Sequence, residues 1–298
     1  LDYVAERIKA GVSTEEIDKW VYDYCIEHDA IPADLNYEGF PKSVCTSINE
    51  VVCHGIPSPD DVLKEGDIVN VDMSTIKDGY YSDSSRMFCI GEVDPERKRL
   101  VEVTREAVQA GLDAIRPWGF LGDVGHAVNK VCTDAGFTVV REFGGHGIGR
   151  EFHEDPWVSF TSEPGTGMIL VPGLCFTIEP MVNAGGAAID MNDPNGWTVR
   201  TADGSDSAQW EVQLVVTEDG YELLGEDRLV DLGEPINDAV VMDTPFVVLC
   251  KPDCRGLCPT CGCNLNVEQC DCAAQAEAEW AEATENLFAA LKNLKLDE

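Results

Sequence analysis

Five residues in this chain carry groups that bind divalent cations and stand where strands ordinarily bury something apolar. Asp72 lies in VNVDMS, Asp83 in YSDSSRMF, Glu179 in CFTIEPMV and Glu211 in AQWEVQLVV. Each run is otherwise rich in Val, Ile, Phe or Trp and reads as a strand. A buried carboxylate with no compensation costs on the order of several kcal/mol. Too few basic residues lie in these strands to pair with the acids, whereas a pair of divalent cations would neutralise all four. His146, in EFGGHGIGREFHED, adds an imidazole. Four carboxylates and one histidine form an oxygen-rich set suited to Mn, Fe, Co or Zn in a two-metal arrangement. Any one of these acids alone also reads as a surface residue on an edge strand; the five together read as a metal centre.

The elements that must position them follow from periodicity. Ser13-Thr-Glu-Glu16 has the spacing of a capping box, and Ile17, Trp20, Val21, Tyr24 and Cys25 then recur at helical spacing. From Asp67 the pattern alternates, with Val69, Val71 and Met73 on one face and Asn70, Asp72 and Ser74 on the other. Lys77-Asp78-Gly79 supplies a turn and Tyr80 to Cys89 the returning strand of a hairpin. Two helices follow, one with Pro95 in its first turn and one ending at Gly136. Strands are expected around Phe137–Phe143, Leu174–Val182 and Ala208–Glu218. The mixture predicts an α+β domain with mostly antiparallel connections.

The 298 residues suffice for one large core, or for one domain and an appendage. No apolar run is long enough to cross a bilayer and no charged-then-apolar leader is seen, so membrane insertion and secretion are disfavoured. The chain opens at Leu1 already in helical rhythm, which reads as a start part-way into a longer protein. The net charge of −34, from 55 acidic and 21 basic residues, repels phosphate backbones and argues against broad nucleic-acid binding. Six cysteines (Cys25, Cys45, Cys53, Cys89, Cys132, Cys175) are scattered as small hydrophobes, and seven crowd between Cys250 and Cys272. A dense cluster without a secretion signal points to metal before disulfides, and so to a reducing cytoplasm. Composition shifts after Leu224, dividing the chain at about residue 226 into segments 1–225 and 226–298.

The first segment resembles the type I methionine aminopeptidases, through FPKSVCTSINEVVCHGIP, GDIVNVD, KDGYYSDSSRMF, FGGHGIGREFHEDPWV, PGLCFTIEPMVNAG and GWTVRTADGSDSAQWEVQLVVTEDGYELL. Only Phe40 departs from the first of these motifs, where the family has tyrosine. The resemblance implies a pseudosymmetric "pita-bread" fold, antiparallel sheets flanked by helices. It also implies that Asp83 and Glu211 bridge two divalent ions, Asp72 completing one site and His146 with Glu179 the other. A water shared by two such ions loses a proton more readily than bulk water and becomes a hydroxide nucleophile. The ions would also polarise the scissile carbonyl and anchor the substrate α-amine, restricting cleavage to the first residue. Glu179, touching metal and water together, is the expected proton acceptor.

By the same resemblance His54 and His153 contact substrate, hydrogen-bonding the peptide or the oxyanion. His54 alone would read as an ordinary loop histidine, and His28 and His126 read as surface residues. Methionine selectivity requires a snug apolar pocket, matched here by Tyr37, Phe40, Cys45, Phe152 and Trp197, each of which could equally be core packing. Asp34 departs from that pattern, standing near an expected small or apolar pocket residue. The departure bears on the pocket rim and on side-chain preference.

In the tail, Cys258-Pro-Thr-Cys261-Gly has the spacing of a zinc knuckle, since a CxxC turn presents two thiolates to one tetrahedral ion. A second pair comes from Cys250 and Cys254 or from Cys270 and Cys272; spacing does not choose, and Cys263 is surplus. A structural zinc is expected there, against a redox or unligated cluster. With VDLGEPINDAV before it and LFAALKNLK after, the segment is similar to the C-terminal part of the YceD/DUF177 family. That family is linked to large-subunit ribosomal RNA accumulation; a natural fusion and a joined reading frame both fit.

The expected protein is therefore a cytoplasmic, monomeric metalloaminopeptidase acting on the N-terminal peptides of nascent proteins, with the ribosome as a candidate partner. Neither sequence-specific nucleic-acid binding nor membrane binding is expected. Rival readings are a proline-directed aminopeptidase or prolidase on the same fold, and a non-enzymatic binding module at the ribosome. Motif SVCTSINEVVCHG favours the methionine-specific branch, and no ligand position is lost.

Overall fold

Ser13 and Glu16 close a capping box on the helix Thr14–Glu27, each side chain bonding the other residue's backbone N–H. In this computed structural model, residues 1–224 together with Asn266 and Asp271 are described. The helix lays Ile17, Val21 and Cys25 against Val69 and Val71 of the strand Ile68–Lys77. That strand pairs over its whole length with Tyr80–Cys89 through a two-residue turn, Asp78 and Gly79, both at positive φ (53° and 86°). Two successive positive φ values match the right-handed twist of a hairpin. The strand's opposite face carries Asn70, Asp72 and Ser74, as the alternation predicts. It is not solvated: Asn70 is buried and donates to Ser85 Oγ and the Gln209 carbonyl.

The helix Pro95–Ala114 starts with Asp94 accepting the Glu96 N–H, and Leu121–Asp134 gives way to Gly136 at φ 86°. These two helices pack on one another and on Phe176, Ile178, Leu214 and Val216 of a five-stranded sheet, forming the largest core cluster. Strand order in that sheet is Tyr221–Leu224, Val212–Val216, Cys175–Ile178, Gly145–Gly147, Glu154–Val158. The hairpin belongs to a four-stranded sheet with Ile31–Pro32 and Cys45–Ile48, and two three-stranded sheets complete the described residues. All pairings are antiparallel, so the expected α+β class is what the chain adopts.

Three expected strands prove to be broken, and the breaks matter. Leu174–Val182 divides into Cys175–Ile178 in the five-stranded sheet and Met181–Asn183 in a three-stranded one. The interruption falls at Glu179-Pro180, where proline removes a ladder donor. Ala208–Glu218 divides in the same way, Ser207–Gln209 pairing with Met181–Asn183 and Val212–Val216 with Cys175–Ile178. Glu211 lies at that crossing, bridged only to Ser85. Phe137–Phe143 keeps only Thr138–Val139 as strand; the chain re-enters a sheet at Gly145, where a Cβ would stand 2.3 Å from the Thr177 carbonyl oxygen. Glu179 and Glu211 are thus not mid-strand residues, as the pattern suggests, but sit where the chain passes between sheets.

By its internal contacts the chain divides into two units, Leu1–Pro235 and Ile236–Glu298. The expected boundary near residue 226 lies outside the described residues, as do Cys250, Cys254, Cys258, Cys261, Cys270 and Cys272. Among the described residues no helix is long and apolar enough to cross a membrane.

Candidate metal centre

The hairpin supplies the first two carboxylates. Register places Asp72 opposite Ser85 and Asp83 opposite Ser74, so both acids lie on one face, diagonal to each other. Ser74 Oγ donates to Asp83 Oδ1 at 2.8 Å, and the Asp83 N–H donates to Gln213 Oε1 at 3.0 Å. The second bond ties the hairpin to the strand that follows Glu211. The Glu211–Ser85 bridge then sets Glu211 against the hairpin, next to Asp83.

His146 lies in Gly145–Gly147, and Glu179 directly follows the adjacent strand Cys175–Ile178 of the five-stranded sheet. Thr177 Oγ1 accepts the His146 N–H at 3.0 Å and donates to Glu179 Oε1 at 2.7 Å, so one hydroxyl orients both residues. His146 Nδ1 donates to the Gly147 carbonyl at 2.9 Å, which turns Nε2 towards the acids. Nε2 stands 3.4 Å from Glu179 Oε1 and 3.6 Å from Asp83 Oδ2. Donor atoms of Asp83, His146 and Glu211 all lie within 4.8 Å of one another.

Asp83, His146, Glu179 and Glu211 are buried, and Asp72 is half-buried. Burial, and next the Asp83 charge, push the Asp72 and Glu211 carboxyls well above the usual range. Burial likewise drives Glu179 up to about 7, with His146 opposing and Asp83 adding to the rise. Burial opposes protonation of His146, but the Asp83 hydrogen bond and the Glu179 charge outweigh it and push the imidazole up to about 9. Like charges are thus gathered, and among the described residues one imidazole is their close cationic partner. Glu211 Oε1 is buried without a hydrogen-bond partner among the described residues. An anionic, oxygen-rich cluster with an orphaned oxygen and an imidazole nitrogen facing the acids fits a divalent cation centre.

A single cavity of about 680 Å³ is lined by all five of these residues, by His54 and His153, and by Tyr37, Phe40, Cys45, Phe152, Trp197 and Asp34. His153 Nδ1 bonds the Tyr37 hydroxyl at 2.8 Å, and its ring stacks on Phe152. Burial and then the neighbouring His146 hold it down to about 4, so it is neutral near pH 7. His54 occupies a left-handed conformation (φ 56°) beside Phe143 and Trp197, and burial lowers its pKa as well. Phe40 meets Trp197 edge-on at 5.2 Å. His28 and His126 are exposed and stand apart from the cavity.

The sequence reading did not single out Ser74, Thr177, Gln209 or Gln213, which orient the acids, nor Phe143 and Trp157, which help line the cavity. A signal for the first two was available. Each is a hydroxyl two residues from an acid, on the same face of a strand that is otherwise apolar.

Residues 1–218 match the family described as Metallopeptidase family M24, and residues 198–295 match Large ribosomal RNA subunit accumulation protein YceD. A methionine aminopeptidase of Haemophilus influenzae is 51% identical over 219 residues, 73% of this chain and 81% of that protein. The crystal structure of methionine aminopeptidase from Rickettsia prowazekii superposes with a TM-score of 0.73 at 46% identity, covering 74% of this chain and 89% of the other. A prolidase from Pyrococcus horikoshii, 21% identical with a TM-score of 0.57 and covered over 58% of its length, shares the fold alone.

Proposed function

This chain belongs to metallopeptidase family M24, and we propose that its reaction is the hydrolytic release of N-terminal methionine from newly made polypeptides. It is a metal-dependent aminopeptidase, similar over most of their length to methionine aminopeptidases. The observation that supports the site most is the convergence of Asp83, His146 and Glu211 within 4.8 Å, with a buried Glu211 oxygen left unpartnered.

Two divalent ions are the proposed occupants, and Asp72, Asp83, His146, Glu179 and Glu211 would hold them. When bound they supply Lewis acidity toward water and carbonyl oxygen. The chain's own residues do the rest. Glu179, held by Thr177 and by Gln209 Nε2 at 3.3 Å, has the placement and the raised proton affinity of a general base. It takes a proton from the attacking water and returns it to the leaving amine. His153, neutral and anchored at Nδ1 by Tyr37, offers Nε2 to the scissile peptide; His54 offers a second imidazole from the opposite loop. Tyr37, Phe40, Cys45, Phe152 and Trp197 form the pocket for the methionine side chain.

The proposed compartment is the cytoplasm, in keeping with six free cysteines among the described residues. A structural zinc held by Cys258 and Cys261 with a second cysteine pair is the proposed role of the tail. Similarity to the YceD family makes the ribosome the proposed partner. The enzyme is proposed to act there as a monomer.

The full chain, stripped with chelator and reloaded with Co or Mn, is expected to release Met from Met-Ala-Ser and to leave Xaa-Pro peptides intact. Cleavage confined to Xaa-Pro bonds would replace the methionine reading with a proline-directed one.

A further inference from the structure

Asp34 places a carboxyl on the wall of the side-chain pocket, among rings. The backbone fixes it there: the Ala33 N–H donates to the Ser74 carbonyl at 2.8 Å, and the Ser74 N–H donates to Asp34 Oδ2 at 3.2 Å. Among the described residues no lysine or arginine forms an ion pair with it, although it lines the same cavity as Tyr37, Phe40, Phe152 and Trp197. A carboxyl has two oxygens and several lone pairs, and at least one acceptor remains in either protonation state. The Ser74 N–H and the Asp34 backbone N–H do not exhaust that capacity. Nor do the surrounding rings supply the missing donor: Phe40 and Phe152 have none, the Tyr37 hydroxyl is engaged with His153, and among the described residues no hydrogen bond joins the Trp197 indole N–H to Asp34.

We propose that Asp34 is a specificity-determining residue. It is a hydrogen-bond acceptor in the pocket wall, and it admits N-terminal side chains of methionine's length that end in a hydroxyl or amide donor. This rests on the aminopeptidase reading above. A wholly aromatic and aliphatic pocket selects a thioether by shape and dispersion, and rejects a terminal hydroxyl through its desolvation. An acceptor in the wall offsets that desolvation for the donor-bearing side chain and gives nothing to a methyl group. Discrimination between the two is therefore narrower here than an apolar pocket would enforce.

Two substrates isolate the effect, because they differ only in a terminal methyl against a terminal hydroxyl: norleucyl-Ala-Ser and 5-hydroxynorvalyl-Ala-Ser. The kcat/KM of each is measured on the metal-loaded full chain and on Asp34→Leu, with Asp34→Ala as the second variant should the larger side chain prevent folding. The hydroxyl-to-methyl ratio is expected to fall about fivefold on substitution, the size of one hydrogen bond. Asp34 also braces Ser74, which in turn holds Asp83, so a purely structural role must be separable. In that case both substrates lose rate by the same factor, the ratio stays constant, and the proposal is overturned. A wild-type chain that releases no N-terminal residue from any of these peptides, methionine included, overturns the aminopeptidase reading itself.

Discussion

Asp83→Asn should reduce peptide turnover by about 10³-fold or more, the scale of several kcal/mol of lost transition-state stabilisation, yet leave the metal-free protein more stable than wild type. The two halves of that expectation have one cause. Asp83 raises the proton affinity of Asp34, Asp72, Glu179 and Glu211 alike, so its charge is the one the whole cluster feels. With cations bound, that charge is what the site uses; without them it is repulsion in a buried space. Asparagine keeps the oxygen that accepts from Ser74 Oγ and the backbone N–H that donates to Gln213, so local shape is preserved. His146 loses one of its two carboxylate neighbours but keeps Glu179 at 3.4 Å. Relief of the four acid neighbours, set against the loss of one imidazole partner, is expected to leave a net gain in the metal-free protein. Turnover of Met-Ala-Ser, metal content, and thermal unfolding in chelator report the three parts. A variant that binds metal and turns over like wild type would remove Asp83 from the centre.

Metal removal should make stability fall as pH rises, and the sign follows from linkage. Glu179 goes from 4.5 when unfolded up to about 7 when buried, so between those values the folded state holds more protons than the unfolded one. Stability therefore declines as pH climbs through that window, by roughly 3 kcal/mol for a group shifted this far. Asp72 and Glu211 are shifted in the same direction. His146, raised from 6.5 to about 9, stabilises fully below its unfolded value and loses that contribution as pH passes its folded one. All four groups act in one direction, and from about pH 6.5, above which the depressed His153 and His54 no longer oppose them, the metal-free chain should weaken up to about pH 9. Bound cations compete with the same protons, so the loaded protein gains where the stripped one loses. Calorimetry with and without chelator should show a difference in Tm that widens with pH. A constant difference would mean that the acids do not take up protons when the metal leaves.

Much of this was legible in the sequence because acids interrupt strands conspicuously. Val69 and Val71 meet the first long helix while Asn70, Asp72 and Ser74 face the other way, and a period of two is enough to predict that. The capping box at Ser13 and the Asp78-Gly79 turn are local chemistry and were equally readable. What periodicity could not show is where one apolar run serves two sheets. Residues 174–182 and 208–218 each read as a single strand. Alternation continues through the crossings, and only the pairing partners reveal the switch. The bond from the Asp83 N–H to Gln213 spans 130 positions and leaves no trace in local pattern. Thr177 was passed over for a related reason. A threonine in a strand is ordinary by propensity; its bond to Glu179 is local, whereas its bond from the His146 N–H becomes visible only when the strands are paired. Asp34 is the converse case: its departure from the pocket pattern shows in the sequence, whereas its anchor on the Ser74 N–H required the fold.

The five-residue centre is tested most directly by anomalous diffraction from crystals of the full chain grown with manganese. Two peaks are expected in the cavity, both in contact with Asp83 and Glu211, one also with Asp72 and the other with His146 and Glu179. A cavity without a peak, or a single peak that leaves Asp72 or His146 without contact to metal, would contradict the assignment of these residues as one two-metal site.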